Sequence, residues 1–516
     1  MRTIADRRIV KVETGIPGLD HVAAGGLPRG RTTLVTGTAG SRKTVLAAQF
    51  LAEGVLRNEP GVFVTFEEPP EDIRVNMASF AWDIGQWEEE KKRAFVDGSL
   101  DTEDESVEAG SYDLGALMAR VEHAIGKVGA KRVALDSIGA IFGRFRDASV
   151  VRQEIHRLCQ ALKKLNVTAV ITAERPEEYG PNARYGVEEF VADNVIILRN
   201  VLEEEKRRRT VEILKFRGTA HNKGEFPFTV IPEEGIVVIP LSAIELGQKS
   251  SNRRVTSGNE ELDAMCQGGY FRDSIILVSG ATGNGKTLMA TEFIRGGAKG
   301  GERCVLFAFE ESREQILRNA GGWGVDYETM EKEGKLRVVC EYPEAMGLED
   351  HLLRMRAIIE EFKPSRIAVD SLSVLERVSS LKGFREFVIG LTSFIKSEEV
   401  AGLLTVTTPT LMCGASITEA RISTIMDAII LLRYVEIFGE MRRGLIVLKM
   451  RGSTHDKSIR EFVIDGEGMH IREPFRNLTG IIAGNATQVA RKDIERLDGL
   501  FAEEAWAGPA GLGIKA

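Results

Sequence analysis

Two tandem α/β domains, each a mostly parallel sheet with helices on both faces built around a phosphate-binding loop, are what this 516-residue sequence predicts. Three observations carry the expectation. Two glycine-rich segments, Gly37-Thr-Ala-Gly-Ser-Arg-Lys-Thr44 and Gly280-Ala-Thr-Gly-Asn-Gly-Lys-Thr287, are versions of one loop set 243 residues apart. The likeness reaches beyond the loops: Gly15, Leu19, Asp20 and Gly25 recur at Gly258, Leu262, Asp263 and Gly268, and Glu67-Glu68 recurs at Glu310-Glu311. The apolar runs between these landmarks are continuous rather than alternating, as strands covered on both faces require.

In each half an apolar run, Thr33 to Thr36 or Ile275 to Ser279, enters the glycine loop, and a helical pattern leaves it, Val45 to Leu51 or Leu288 to Ile294. Strand, loop, helix is the setting a phosphate loop needs. Val62 to Phe66, Arg132 to Asp136 and Val167 to Thr172 read as further buried strands with helices between them. Val195 to Arg199 and Val211 to Lys215 flank a charged tip, Glu203 to Arg209, and read as a hairpin, with Glu440 to Arg443 as the counterpart tip. Opposite charges mix at that tip, which favours a solvated turn over a nucleic-acid contact.

Long internal similarity means one ancestral domain present twice. It divides the chain into an N-terminal domain, 1–244, a C-terminal domain, 245–484, and a tail, 485–516. Asp136 pairs with Asp370, and Lys215, Arg217 and His221 with Lys449, Arg451 and His455, at a spacing of 234. The first copy therefore holds nine extra residues between its glutamates and its aspartate, including the acidic run Asp101 to Glu108, read as a solvated loop.

Hydrophobic residues make up 43% and charged residues 28% of the chain, with net charge −8. Both halves can bury a core. No apolar run approaches the roughly 20 residues that span a bilayer, and the first residues lack the apolar segment of a secretion signal. A cytoplasmic protein is expected. Cys159, Cys266, Cys304, Cys340 and Cys413 follow no metal-ligand spacing, so reduced thiols are expected. The acidic balance argues against a surface dedicated to nucleic acid.

A triphosphate is held by backbone N–H groups of a glycine-rich turn, by the positive end of the following helix, and by a lysine reaching the outer phosphates. In the second loop Thr282, Gly283, Asn284 and Gly285 form the turn, Lys286 meets phosphate, and the Thr287 hydroxyl faces Mg²⁺. In the first loop Gly40, Ser41, Lys43 and Thr44 repeat these roles, but Arg42 stands where the pattern wants its last glycine. A side chain there either crowds the turn or demands a backbone conformation that glycine visits most cheaply. Retained binding is expected, because Lys43 and Thr44 remain.

Asp136 and Asp370 end apolar strands, where a carboxylate reaches the Mg²⁺ shell. Glu67, Glu68, Glu310 and Glu311 also follow apolar strands, and one glutamate of each pair can accept a proton from the attacking group. Each basic set, Lys215, Arg217 and His221 or Lys449, Arg451 and His455, lies far in sequence from its own loop. In ring ATPases residues so placed stabilise the γ-phosphate bound by a neighbouring subunit. The plainer alternative is a basic edge strand that discourages aggregation.

At this point the residues resemble the KaiC family, the ATPase and autokinase of the cyanobacterial circadian clock, whose two RecA-like P-loop ATPase domains are called CI and CII. The matching stretches include Gly61-Val-Phe-Val-Thr-Phe-Glu-Glu68, Arg184-Tyr-Gly-Val-Glu-Glu-Phe190, Gly347-Leu-Glu-Asp-His-Leu352, Ile422-Ser-Thr-Ile425 and Lys449-Met-Arg-Gly-Ser453. Similarity runs from about residue 10 to about residue 485.

The resemblance implies a double-ring homohexamer with ATP and Mg²⁺ at every subunit interface. It implies slow hydrolysis in the first ring and, in the second, phosphoryl transfer to Ser423 and Thr424, with Thr418 as an auxiliary threonine. Glu310 would also touch Mg²⁺, and Trp323 would stack on adenine, with Phe80 as its counterpart. At the repeat spacing Ser423 and Thr424 correspond to Glu189 and Phe190, so only the second half has hydroxyl acceptors. A KaiB-like partner at the first ring and a KaiA-like partner at the tail are implied, but Asn485 to Ala516, with its charged helical stretch Arg491 to Glu504, departs from the family tail and suits a different regulator equally. Two other readings stand beside this one: a RecA- or RadA-like DNA-dependent ATPase, and a KaiC-fold signalling scaffold without oscillation.

Overall fold

The computed structural model describes residues 9–99, 114–142, 148–180, 192–203, 205–240, 250–408, 422–476, 478–481 and 487–488. The acidic run Asp101 to Glu108, the stretch Arg184 to Phe190, Thr418 and Arg491 to Glu504 lie outside the described residues. The chain folds as two compact units, Met1–Leu246 and Gly247–Ala516.

The main sheet of the first unit has nine strands: β1 Thr32–Gly37, β2 Gly61–Thr65, β3 Arg93–Asp97, β4 Arg132–Asp136, β5 Thr168–Glu174, β6 Asn194–Glu203, β7 Lys206–Phe216, β8 Glu225–Ile231 and β9 Gly235–Val238. The second unit repeats them: β10 Ile275–Gly280, β11 Cys304–Ala308, β12 Leu336–Cys340, β13 Arg366–Asp370, β14 Ala401–Thr407, β15 Ala428–Ile437, β16 Glu440–Met450, β17 Arg460–Asp465 and β18 Gly468–Pro474. Strand order across the first sheet is β9-β8-β7-β6-β1-β5-β4-β2-β3, and across the second β18-β17-β16-β15-β10-β14-β13-β11-β12, so the two topologies are identical. From β6 to β3, and from β15 to β12, neighbours run parallel; the remaining strands add antiparallel hairpins at one edge. This is the expected α/β class, with the phosphate-loop strand near the middle of each sheet.

All six residues of β1 and of β10 are buried, which is why these strands read as unbroken apolar runs. Alternate residues feed opposite faces. Val35, Phe63, Ala134 and Val170 join one core of the first unit, and Leu34, Val64, Leu135 and Ile171 the other. The helix Lys43–Leu56 is buried from Val45 to Ala52, so it carries no polar stripe over that stretch. Buried arginines tie each sheet to its N-terminal segment. Arg132 donates to Glu59 (2.8 Å) and to the carbonyls of Glu13 and Phe50, and Arg366 repeats this toward Glu302, Thr256 and Phe293.

The two hairpins are tighter than the sequence suggests. Lys206 to Arg209 lie inside β7, where Arg207, Arg208 and Arg209 pair with Leu202, Val201 and Asn200, and Glu440 to Arg443 lie inside β16. Half-buried or exposed, these long side chains reach water from within a strand, so charge alone did not mark the turn. Among the described residues no helix is long and apolar enough to cross a membrane.

Candidate functional site

Each phosphate loop closes around its lysine. Lys43 Nζ donates to the carbonyls of Gly37 and Thr38, both at 3.0 Å, and Lys286 Nζ donates to Ala281 O at 2.9 Å. Burial pushes both ammonium pKa values down, and carboxylates oppose it: Glu174, Asp136 and Glu67 at Lys43, Asp370 and Glu310 at Lys286. Gly40 and Gly283 take the same left-handed turn, with φ of 75° and 77°. Ser41 and Asn284 are fully buried inside the loops.

Arg42 adopts φ 70° and ψ 31°, and Gly285 adopts φ 90° and ψ 19°. The first loop therefore keeps the glycine conformation with a side chain in it. That side chain is exposed and leaves the turn open. At Gly285 a Cβ would lie 2.8 Å from Ile464 Cδ1. Strand register puts Val230 in the first unit where Ile464 stands in the second, and the shorter side chain clears the space.

Carboxylates surround each lysine in the same arrangement. Asp136 is 8% exposed, accepts from the hydroxyls of Thr172 and Thr44, and is pushed upward by burial. Asp370 accepts from Thr405. Burial, then Glu174 and Asp136, raise Glu67, which Ser137 hydrogen-bonds. Glu310 likewise accepts from Ser371 (3.3 Å). The second glutamate of each pair turns elsewhere: Glu68 accepts from Asn76 (2.9 Å) and Glu311 from Asn319 (3.0 Å). Glu311 is raised by burial and by Asp370. Thr287, Glu310, Glu311, Asn319, Trp323 and Asp370 line one narrow crevice of about 30 Å³. Trp323 caps the helix Arg313–Gly322, whereas Phe80 is 9% exposed and stacks on Trp82 at 4.6 Å in the first core. A wider cleft of about 920 Å³ in the second unit, lined by Phe438, Arg442, Ile471 and Phe475 among others, touches none of the loop residues.

Among the described residues no cluster of three acidic, histidine or cysteine side chains could hold a metal by itself. The Thr44 hydroxyl beside the Asp136 carboxylate, with Thr287 and Asp370 facing one crevice, is instead a sparse oxygen set of the kind that could hold Mg²⁺ together with phosphate.

The basic sets sit at the other end of each sheet. Lys449 pairs with Ile429, which is level with Leu277, and the Arg451 N–H donates to Asp427, whose own N–H donates to Ile275. Five residue steps lead from Ile275 to Gly280, about 16 Å of strand, and three from Leu277, about 10 Å. Their side chains stay at that end. Lys449 Nζ donates to Ser423 O (3.2 Å) and Met426 O (2.8 Å), and Arg451 to Thr424 O (2.6 Å). Ser423, half-buried, and Thr424, exposed, form the short turn Ile422–Thr424 before β15. In the first unit Lys215 donates to Ala192 O (2.9 Å), and Arg217 lies 3.8 Å from Asp193. His221 packs against Phe216 at 5.5 Å and is lowered by burial and by Lys11; His455 is half-buried. The structure thus gathers loop, aspartate and glutamates at one end of each sheet, and separates the basic sets and Ser423-Thr424 from them.

Sequence reasoning overlooked several partners. Thr172 and Thr405 orient the aspartates, Asn76 and Asn319 hold the second glutamates, and Lys163-Asp193 (2.8 Å) and Lys396-Asp427 (2.7 Å) brace the basic strands. Each recurs at the repeat spacing, within one residue, so the duplication itself was the signal.

Two segments of the chain, residues 12–243 and 255–475, match a family model described as "ATPase: KaiC". The chain is 66% identical over 496 residues, 96% of its length and 98% of the relative's, to "Circadian clock protein KaiC3" of Synechocystis sp. (strain ATCC 27184 / PCC 6803 / Kazusa). It is 55% identical over 483 residues to "Circadian clock oscillator protein KaiC" of Thermostichus vulcanus, covering 93% of each chain. To "Circadian clock oscillator protein KaiC 1" of the same Synechocystis strain it is 54% identical over 483 residues, again 93% of each.

Proposed function

The chain belongs to the KaiC ATPase family, and on that premise we propose that it is an ATP hydrolase and serine/threonine autokinase, working as a double-ring homohexamer with ATP between subunits. Membership sets aside the DNA-dependent recombinase reading. The observation that carries the proposal is the separation within each sheet: a phosphate loop at one end, and its basic set with the hydroxyl acceptors toward the other, about 10 Å along the strand at the level of Lys449 and about 16 Å at the level of Asp427, to which Arg451 is bonded. Lys449 Nζ is held at Ser423 and Met426, and Thr424 lies beside Arg451 at that same end, so both stand away from the loop of their own unit, whereas a neighbouring subunit can present both to it.

In the second unit Lys286 neutralises the outer phosphates, and Lys449 and Arg451 of the next subunit add positive charge around the transferring phosphoryl group. The Ser423 or Thr424 oxygen attacks the γ-phosphorus, the bond to the β,γ-bridging oxygen breaks, ADP leaves, and the hydroxyl proton passes to Glu310 or Glu311. Glu310 is the better placed beside the phosphates, since it and Asp370 are the carboxylates that act on Lys286. Mg²⁺, held by Thr287, Asp370 and Glu310, or by Thr44 and Asp136 in the first unit, would supply charge neutralisation at the β- and γ-phosphates. Trp323 contacts adenine. In the first unit water replaces the hydroxyl, Glu67 accepts its proton with Glu68 behind it, and Lys215, Arg217 and His221 act on the neighbour's ATP.

Each phosphate placed on Ser423 or Thr424 brings nearly two negative charges beside Lys449 and Arg451, which makes phosphorylation a timing or signalling state that partners can read. A KaiB-like protein at the first ring and a KaiA-like or other regulator at the tail are the partners this reading implies, in the cytoplasm.

Mixing tests the proposal. A Lys286→Ala chain and a Ser423→Ala/Thr424→Ala chain, each unable to phosphorylate itself, are combined with labelled ATP under conditions where subunits exchange. Label should enter the Lys286→Ala chain, in the peptide carrying Ser423 and Thr424. A hexameric mixture that incorporates no label, while the parent protein does, refutes transfer between subunits.

A further inference from the structure

Thr38 is one of four positions at which the duplicated loops part. Its counterpart is Ala281, and in both loops the carbonyl of this residue receives the lysine ammonium, at 3.0 and 2.9 Å. In the first loop the same carbonyl also accepts from Ser41 Oγ at 2.8 Å. The Thr38 hydroxyl, which the second loop lacks, donates to Glu178 Oε1 at 2.5 Å. Glu178 Oε2 accepts the backbone N–H of Asn200 at 3.0 Å, and Glu178 O accepts from Arg199 Nε at 3.3 Å. The Asn200 side chain lies over the turn, its Nδ2 3.2 Å from where a Cβ on Gly40 would stand. One carboxylate therefore ties the phosphate loop to β6, at the mouth of a cleft of about 450 Å³ that Thr38, Glu174, Glu178, Asn200 and Arg207 help to line.

The chemistry of the link suits a positioning task. A hydroxyl bonded to an ionised carboxylate is shorter and stronger than a neutral pair. It acts on one of the two residues, Gly37 and Thr38, whose carbonyls receive the lysine. Arg42 holds the left-handed turn against its own preference, so this loop benefits from an external restraint more than the one with Gly285.

We propose that Glu178 is a positioning residue of the first site, fixing Thr38 and through its carbonyl the ammonium of Lys43. The proposal rests on the reading of the first loop as an ATP site. The second site sets Lys286 without it, from Ala281 and a true glycine turn.

The test uses the full chain in its assembled form with Lys286→Ala in every sample, so that nucleotide binding and phosphate release report on the first site. Thr38→Ala copies the residue with which the second loop already folds. It and Glu178→Ala should each weaken binding of a fluorescent ATP analogue about tenfold, the usual scale for deleting a hydrogen bond to a charged group. The double variant should lose no more than either single one, and Thr38→Ser, which restores the hydroxyl, should bind within about twofold of the parent. Binding by Thr38→Ala equal to the parent's, additive losses in the double variant, or no rescue by serine overturns the clamp. Lys43→Ala separates the two levels of failure. If it too leaves binding untouched, the first loop is no nucleotide site and the clamp falls with it; if it abolishes binding while Thr38→Ala does not, only the clamp falls.

Discussion

Arg42 and Gly285 occupy the same turn of two duplicated sites and take nearly the same backbone, φ 70° and 90°. In the first unit the strand facing the turn carries Val230, and the arginine side chain extends to solvent. In the second it carries Ile464, and only a hydrogen fits. Beside Arg42 the first loop carries the Thr38 hydroxyl bonded to Glu178, where the second loop has Ala281. A motif position can thus lose its glycine without losing its geometry, provided that the opposing strand shrinks and another contact restrains the loop. A departure from a motif has to be weighed with its surroundings before it is read as a lost site.

The largest effects expected are functional and divide the copies. Lys286→Ala should reduce label in the Ser423-Thr424 peptide by about a hundredfold or more, while Lys43→Ala should leave that label within a few-fold and remove most phosphate release. Equal damage to both readouts from either variant would end the division of labour. Next comes the turn itself. Gly285→Ala must displace Ile464 and adopt a disfavoured φ, and should destabilise the helix Lys286–Lys299 by about 2 kcal/mol, measured by hydrogen exchange. The reverse change, Arg42→Gly, should protect the helix Lys43–Leu56 by about 1 kcal/mol by relieving the left-handed strain. Exchange unchanged in both would mean that the turn sets neither helix.

A third prediction concerns the residue that fastens the loop helix to the last hairpin. In the first unit it is Gln49, which accepts from Ile236 N at 2.7 Å; in the second it is Glu292, which accepts from Met469 N at 2.8 Å. Burial pushes the Glu292 carboxyl above its ordinary 4.5, with Met469, Arg295 and Asn259 only partly offsetting it. The folded state therefore binds the proton more tightly than the unfolded chain. The stability this contributes is complete below the ordinary value and is lost as pH rises through the raised one. Glu292→Gln, copying the first unit, should stabilise the second unit at neutral pH by roughly 1 kcal/mol and flatten this dependence. A hydrogen-exchange series across that range checks it, and a parent slope retained in the variant would count against the assignment.

Most of the fold was legible because it is written locally. Unbroken apolar runs gave β1, β2, β4 and β5, and the loop pattern fixed the strand and helix on either side. The duplication then supplied the second unit from the first. The hairpin tips were misjudged because charge marks access to water rather than turning, and Lys206 to Arg209 are half-buried or exposed within a strand. At the sites, residues carried by the loops and strand ends were visible one by one. What spacing does not encode is which of two adjacent glutamates meets the serine that follows the strand-end aspartate. That depends on Ser137 and Ser371, which another strand brings alongside. Glu178 escaped notice for a similar reason: its partners Thr38 and Asn200 are 140 and 22 residues away and meet it only because β5, β1 and β6 are neighbours.

The placement of phosphate loop and basic strand at opposite poles of one sheet gives each unit a donor end and a recipient end. Contacts that join unlike ends are heterologous, and only a closed circle of them leaves no end unsatisfied. If transfer runs between subunits as proposed, reactive competence belongs to junctions rather than to chains, and an isolated subunit, however well folded, would have none. Dilution below the association threshold would then extinguish the chemistry abruptly, and a copy defective at one end would spoil only the junction on that side.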